Sequence, residues 1–136
     1  MLATQEQSRP DLNTWLVAAA FTAIGVRHFT HPQFFDQIVP PQLAELPLVG
    51  MTPRQATLIS GAAEVAGGLG LLHPATRPAA RVGLLALVVA VYPANIYMAL
   101  NAERFRPVPP WVSWARLPLQ PVIGWAVWRA GRRRGA

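Results

Sequence analysis

Four long apolar segments, with most charged residues gathered between them, constrain the fold of this chain more than any other feature of its sequence. Only 13% of the residues are charged and 52% are hydrophobic, whereas a soluble domain carries roughly 25% charged residues. Each segment falls within the roughly 17–25 residues that a helix needs to cross a bilayer. The clearest is the third, because "VGLLALVVAVYPANIYMAL" contains no charged residue. The four segments are 13–29, 55–73, 79–100 and 110–130.

This pattern predicts an all-α protein, an integral membrane four-helix bundle with four transmembrane spans, in a single domain over 1–136. A soluble helical bundle would need a polar stripe along each helix, and none of the segments has a continuous one. The long first outer loop is predicted to contain a short interfacial helix, because Phe34, Phe35 and Ile38 would share one helix face. The alternative for this segment is a lid over a cavity at the outer end of the bundle.

The distribution of arginine predicts the orientation of the chain. Four crossings would place both termini on one side, together with Arg9, Arg77, Arg81, Arg129 and the arginines at 132–134. The arginines predicted on the other side are diluted by acidic residues, so both termini are expected in the cytoplasm. Beside a span, the terminal arginines are interpreted as topological anchors and not as nucleic-acid contacts.

Several kinds of chemistry are excluded or disfavoured by the residues present. The chain has no cysteine, which excludes disulfides, thiolate nucleophiles and cysteine-ligated metal sites. His28 and His31 have ligand-like spacing, but Pro32 follows and no acidic cluster adjoins them, so no metal site is predicted. No Ser-His-Asp or paired-carboxylate arrangement can be assembled, so no catalytic residue is assigned and a non-catalytic protein is favoured.

Glu64 stands near the centre of the small and apolar stretch "LISGAAEVAGGLGLLH". Gly61, Gly67 and Gly68 share its helix face, and small residues let helices approach closely in lipid. Glu64 is therefore predicted to point into the bundle. An unpaired ion at this depth costs about 2.5–3.5 kcal/mol, so a counter-ion is expected. Arg116 is the predicted partner, with Arg27 as the rival.

Polar residues from all four segments are predicted to meet in the outer half of the membrane. Asn95 follows Pro93, whose missing N–H leaves a backbone carbonyl in the preceding turn free. Two interpretations stay open: a buried polar network that fixes helix register, or a small polar cavity for a quinone headgroup, another small ligand or a proton. The predicted ligand-binding or network residues are Arg27, His28, Glu64, Asn95, Arg116 and Gln120.

Five segments, taken in order, resemble the DoxX family of small bacterial membrane proteins: "GVRHFTHPQFF", "IVPP", "SGAAEVAGGLGLLHPATR", "VYPANIYMAL" and "RLPLQ". The resemblance covers about residues 15 to 130 and includes the polar residues just described. It implies a four-helix protein of the bacterial cytoplasmic membrane. It also implies association with quinone-linked sulfur oxidation and membrane-bound oxidoreductase assemblies. It carries over no catalytic mechanism.

These observations lead to two functional hypotheses. The first is an accessory or quinone-interacting subunit of a cytoplasmic-membrane redox system, non-catalytic by itself. The second is a non-redox membrane binding or assembly protein with a polar intramembrane cavity. Quinone is the cofactor considered. The expected partners are the lipid bilayer and a membrane oxidoreductase, without nucleic acid, and the sequence leaves the homo-oligomeric state open.

Overall fold

The protein is described by a computed structural model over residues 9–47 and 50–132. Within these ranges the chain is all-helical, as the sequence predicts, and the four long helices lie close to the four apolar segments. Two short 3-10 segments, Pro41–Glu45 and Ala102–Phe105, occur in the connections. The α-helices are α1 (Leu12–Thr30), α2 (Pro32–Ile38), α3 (Pro53–Gly70), α4 (Arg77–Leu100) and α5 (Pro110–Arg129).

Local capping signals fix where α1 and α3 begin. The Asp11 carboxylate accepts hydrogen bonds from the Thr14 backbone N–H at 2.8 Å and from the Thr14 hydroxyl at 2.6 Å. At α3, the Thr52 hydroxyl accepts from the Gln55 N–H at 3.2 Å, and the Gln55 side chain accepts from the Thr52 N–H at 3.0 Å. These side chains satisfy backbone donors that have no partner inside the helix. Pro53 suits the following position because its ring removes an N–H that would be unpaired there.

Glycine brings α1 and α3 into close antiparallel contact. A Cβ atom at Gly25 would lie 2.8 Å from the Gly61 carbonyl oxygen, and one at Gly61 would lie 2.6 Å from His28 Cβ. On the α4 side, a Cβ at Gly67 would lie 2.5 Å from Leu84 Cδ2. The glycine face of α3 is therefore its packed face, between α1 and α4.

Arg77 is a structural residue at the turn between α3 and α4. It is only 8% exposed, and its guanidinium donates to the Leu71 carbonyl at 2.7 Å and to the Leu72 carbonyl at 3.3 Å. Gly131, at φ +70°, lies against the Arg77 side chain, where a Cβ atom would overlap it. The sequence pattern predicts that Arg77 is a charge at the membrane surface. In the structure its side chain instead binds backbone carbonyls at the end of α3. The arginines at 133 and 134 lie outside the described residues.

Two small clusters of buried apolar side chains hold the helices together. One, near the start of α1 and the end of α5, contains Val17, Leu84 and Val127 among its members. The other lies beneath α2 and consists of Ile38, Met98 and Phe105. The candidate site lies between these two clusters.

The predicted bundle of four transmembrane spans is wrong. Among the described residues, only α4 is both long and apolar enough to be a candidate span. The other long helices have the length but are interrupted by polar and charged side chains: α1 by Arg27 and His28, α3 by Arg54 and Glu64, and α5 by Arg116 and Gln120.

Candidate functional site

A cavity of about 460 Å³ lies among α1, α3, α4 and α5 and is covered at one end by α2. This volume is in the range of small-molecule binding sites. Its lining follows α1 from Asn13 to His28, which is about 22 Å at the helical rise per residue. The cavity is therefore elongated along α1.

The ionisable lining residues are grouped at one end of this cavity. His28, Glu64 and Arg116 lie toward the α2 end. Farther along α1 the lining is apolar as far as Asn13, whose side chain donates to the Ala126 carbonyl at 3.0 Å. The cavity thus has one end that holds the ionisable groups, called its polar end, and a mostly apolar body in which the polar groups of Asn95 and Gln120 are paired with each other. The apolar body is lined by Leu16, Val17, Ala20, Phe21, Ile24, Leu87, Val88, Val91, Ile123 and Ala126.

Most of the residues predicted from the sequence meet at this cavity. Arg27 is exposed and does not line it, because one residue along a helix turns the side chain by about 100° from that of His28. The predicted residues that line the cavity are His28, Glu64, Asn95, Arg116 and Gln120.

His28 is the immediate neighbour of Glu64. Its ring Nδ1 lies 3.1 Å from Glu64 Oε2 and 2.9 Å from the Ile24 carbonyl oxygen. The contact with Ile24 has hydrogen-bond geometry, whereas Glu64 Oε2 has no hydrogen-bond partner among the described residues. Both residues are 8% exposed. This carboxyl oxygen is therefore buried against the His28 ring and accepts no hydrogen bond in the described part of the chain.

Burial controls the protonation of this pair. It raises the pKa of Glu64 to about 7. Burial also lowers the pKa of His28, against a smaller opposing effect of the hydrogen bond to the Ile24 carbonyl. The 3.1 Å separation would suit a charged pair, but both shifts favour the uncharged forms, and desolvation is their largest cause. A proton can therefore enter or leave the Glu64 carboxyl close to neutral pH.

Arg116 does not form the predicted ion pair with Glu64. Its Nη1 donates to Met98 Sδ at 3.3 Å, and no carboxylate in the described ranges lies within ion-pair distance of it. The side chain is partly buried, and a guanidinium keeps its proton in proteins. Arg116 therefore places a positive charge at the polar end of the cavity without a protein counter-ion in the described part of the chain.

Asn95 and Gln120 form a buried amide pair that joins α4 to α5. Asn95 Nδ2 donates to Gln120 Oε1 at 3.0 Å, and Gln120 Nε2 donates to the Val88 carbonyl at 2.9 Å. Pro93 has no N–H, so the carbonyl of Val89 lacks its usual helical donor. Gln120 binds the neighbouring carbonyl, that of Val88. This pair fits the interpretation of a network that fixes helix register.

Two further residues of the site were not among those predicted. Phe35 of α2 stacks on the His28 ring, with centroids 3.7 Å apart and an interplanar angle of 19°. Thr57 is 2% exposed, lines the cavity, and its hydroxyl has no described partner. Thr57 lies two turns from Glu64 on one helix face, a signal that the sequence contains. The position of α2 over His28 depends on tertiary packing, which includes the 2.8 Å contact of Arg54 Nε with Asp36 Oδ2.

Comparison with known families identifies one match: a family described as "Domain of unknown function (DUF8561)" matches residues 17–130. The chain does not match the DoxX family, so the resemblance drawn from its sequence is wrong. The shared motifs are short runs of small and apolar residues with single polar groups, which helical proteins of different families can have in common. Comparison with curated proteins and with solved structures found no match.

Proposed function

Because the chain belongs to this family of unknown function, we propose its function from the cavity alone: the protein binds a small amphiphilic molecule. The polar head would lie at the α2 end beside His28, Glu64 and Arg116, and the apolar body would lie along α1. The observation that carries the proposal is the division of the lining into a polar end and an apolar body. Binding pockets typically combine an apolar lining with a few polar groups that orient the ligand.

Unsatisfied polar groups favour ligand binding over a purely structural network. Buried polar groups in folded proteins almost always have hydrogen-bond partners. The Asn95–Gln120 pair follows that rule. Glu64 Oε2 and Thr57 Oγ1 do not, and both residues line the cavity. Both atoms are fully covered, so a polar head would satisfy them only after a movement of the neighbouring side chains.

A quinone is one amphiphile that suits this description. Its carbonyl oxygens could accept hydrogen bonds from Arg116 and Thr57. Its reduction takes up protons, and Glu64, whose pKa burial raises to about 7, is placed to exchange one near neutral pH. In that role the protein would be an accessory subunit of a membrane redox system, with electrons supplied by an oxidoreductase partner. In the alternative role, a non-redox binding or assembly protein would use the same cavity for another amphiphile.

The outer surface supports a membrane location for this activity. Large apolar side chains are exposed on α4, the candidate span among the described residues, including Val89 at 73% and Val82 at 65%. Such surfaces are uncommon on soluble monomers, and we propose that lipid covers them. Near the end of α5, Arg129 and Arg132 lie over the rings of Trp125 and Trp128, a combination typical of membrane interfaces. The placement of both termini in the cytoplasm stays a prediction.

The proposal is tested by filling the cavity. Ala19 and Ala20 are both exposed, but only Ala20 lines the cavity, so Ala20→Phe and Ala19→Phe form a matched pair. Each protein is taken from carbonate-washed membranes into nanodiscs and exposed to single-chain amphiphiles, a quinone among them. The ligand retained after gel filtration is then measured by mass spectrometry.

We expect the wild type and Ala19→Phe to retain one class of amphiphile and Ala20→Phe to lose most of it. Equal retention by all three proteins would contradict the proposal. Release of the protein from membranes by the alkaline wash would contradict the membrane location.

A further inference from the structure

We infer that the cavity selects single-chain amphiphiles whose head is a carboxylate, such as a fatty acid, and that Arg116 binds this head. The inference rests on the proposed function, because it names the class of head group that the same cavity takes.

The first argument is the charge balance of the lining. Among the residues that line the cavity, Arg116 is the one with a guanidinium and Glu64 is the one with a carboxyl group. Glu64 lies against His28, and Arg116 makes its described side-chain hydrogen bond to Met98 Sδ, a weak acceptor. Partial removal of a guanidinium from water is unfavourable unless an anion compensates it. A ligand carboxylate would supply that anion, whereas a neutral quinone or alcohol head would not.

The second argument is the supply of hydrogen-bond donors. A guanidinium can hold a carboxylate through two parallel N–H···O bonds, a geometry that a point charge cannot offer. The Thr57 hydroxyl is fully covered and has no partner in the described chain, so it would be a second donor only where the head displaces the side chains over it. The polar end therefore offers a carboxylate more donors than the protein itself satisfies.

The third argument is the shape of the apolar body. From Ile24 to Asn13 the lining follows α1 for about 16 Å. The far end is bounded by the Asn13–Ala126 hydrogen bond and by the buried cluster that includes Val17 and Val127. This space suits one extended alkyl chain. Leu16 and Ile24 are 61% and 46% exposed, so this part of the cavity is open along α1.

The test compares ligands that differ in the head group alone. A saturated fatty acid, its methyl ester, the corresponding alcohol and a quinone with an alkyl chain of the same length are titrated against the protein in nanodiscs. We expect the acid to bind at least about tenfold more tightly than the ester or the alcohol, which corresponds to 1.4 kcal/mol. Equal binding of acid and ester would overturn the inference.

Variants assign this selectivity to Arg116. Arg116→Gln should weaken binding of the acid by about tenfold, so that the acid and the ester bind about equally. Arg27→Gln is the matched control, because Arg27 is exposed on α1 and does not line the cavity. Arg116→Lys, which keeps the charge, should keep part of the preference and serves if Arg116→Gln does not fold. Equal acid preference in Arg116→Gln and Arg27→Gln would overturn the assignment.

The outcomes separate this inference from the proposed function. If the wild type binds the quinone or the ester better than the acid, the inference fails while amphiphile binding stands. If the wild type binds none of the four ligands more than Ala20→Phe does, the proposed function fails as well.

Discussion

Glu64 is the residue whose surroundings decide how the site behaves near neutral pH. The sequence predicted its burial from the glycines on its helix face, and the structure places it at 8% exposure. The predicted partner was Arg116, but the neighbour is His28. That choice depends on the contact of Gly25 with Gly61, which brings the end of α1 against α3. Hydropathy and depth along single helices carry no information about that contact.

The raised pKa of Glu64 predicts how stability changes with pH. A carboxyl group with a pKa of about 7 in the folded state and 4.5 when unfolded stabilises the fold fully below pH 4.5. This contribution is lost as pH rises through about 7. Relative to Glu64→Gln, the wild type should therefore lose stability between these values, by at most about 1.4 kcal/mol per pH unit.

Denaturant unfolding of both proteins at several pH values measures this difference. Glu103→Gln serves as the control, because Glu103 is exposed and pairs with Arg106 on the surface. We expect Glu103→Gln to follow the wild type. Parallel curves for the wild type and Glu64→Gln would show that burial does not shift the protonation of Glu64.

At the scale of the helices, much of the structure could be predicted from the sequence. The apolar segments locate α1, α3, α4 and α5, and Asp11 and Thr52 are recognisable helix caps. The sequence pattern also predicted a helix in the first long connection, and α2 lies there. It favoured an interfacial position for that helix over a lid, whereas Phe35 and Ile38 of α2 line the end of the cavity. Such placement follows from long-range contacts that no local pattern encodes.

The close approach of α1 and α3 predicts opposite effects for two glycine substitutions. Gly61→Ala should destabilise the protein by about 1–3 kcal/mol, because the added Cβ would lie 2.6 Å from His28 Cβ and force the helices apart. Gly83→Ala is the matched control, since nothing lies within 4 Å of a Cβ there. It should be neutral or stabilise the protein by up to about 1 kcal/mol. Thermal unfolding in one detergent compares the two, and equal changes would argue against tight packing at Gly61.

At the scale of the whole molecule, the four-span prediction failed because length and apolar content were judged segment by segment. The polar residues that interrupt α1, α3 and α5 disqualify them as candidate spans. Four of these residues, His28, Glu64, Arg116 and Gln120, line one shared cavity, together with Asn95 of α4. These polar residues made the site predictable from the sequence. They also lower the mean hydropathy of the helices that carry them, and so weaken the evidence for membrane spans. The fold determines which residues lie at each end of the cavity. No single helix shows this arrangement, because the lining comes from several helices.

The orientation of a bound amphiphile tests this account most directly. Two photoreactive fatty acids are used, one with a diazirine beside the carboxylate and one with a diazirine at the end of the alkyl chain. After irradiation of the protein in nanodiscs, the labelled residues are mapped by mass spectrometry. The account predicts labelling of the head probe near Glu64 and Arg116 and of the tail probe near Leu16 and Ala126, with both lost in Ala20→Phe. Labelling spread over exposed side chains such as Trp111, or the same in Ala20→Phe, would contradict it.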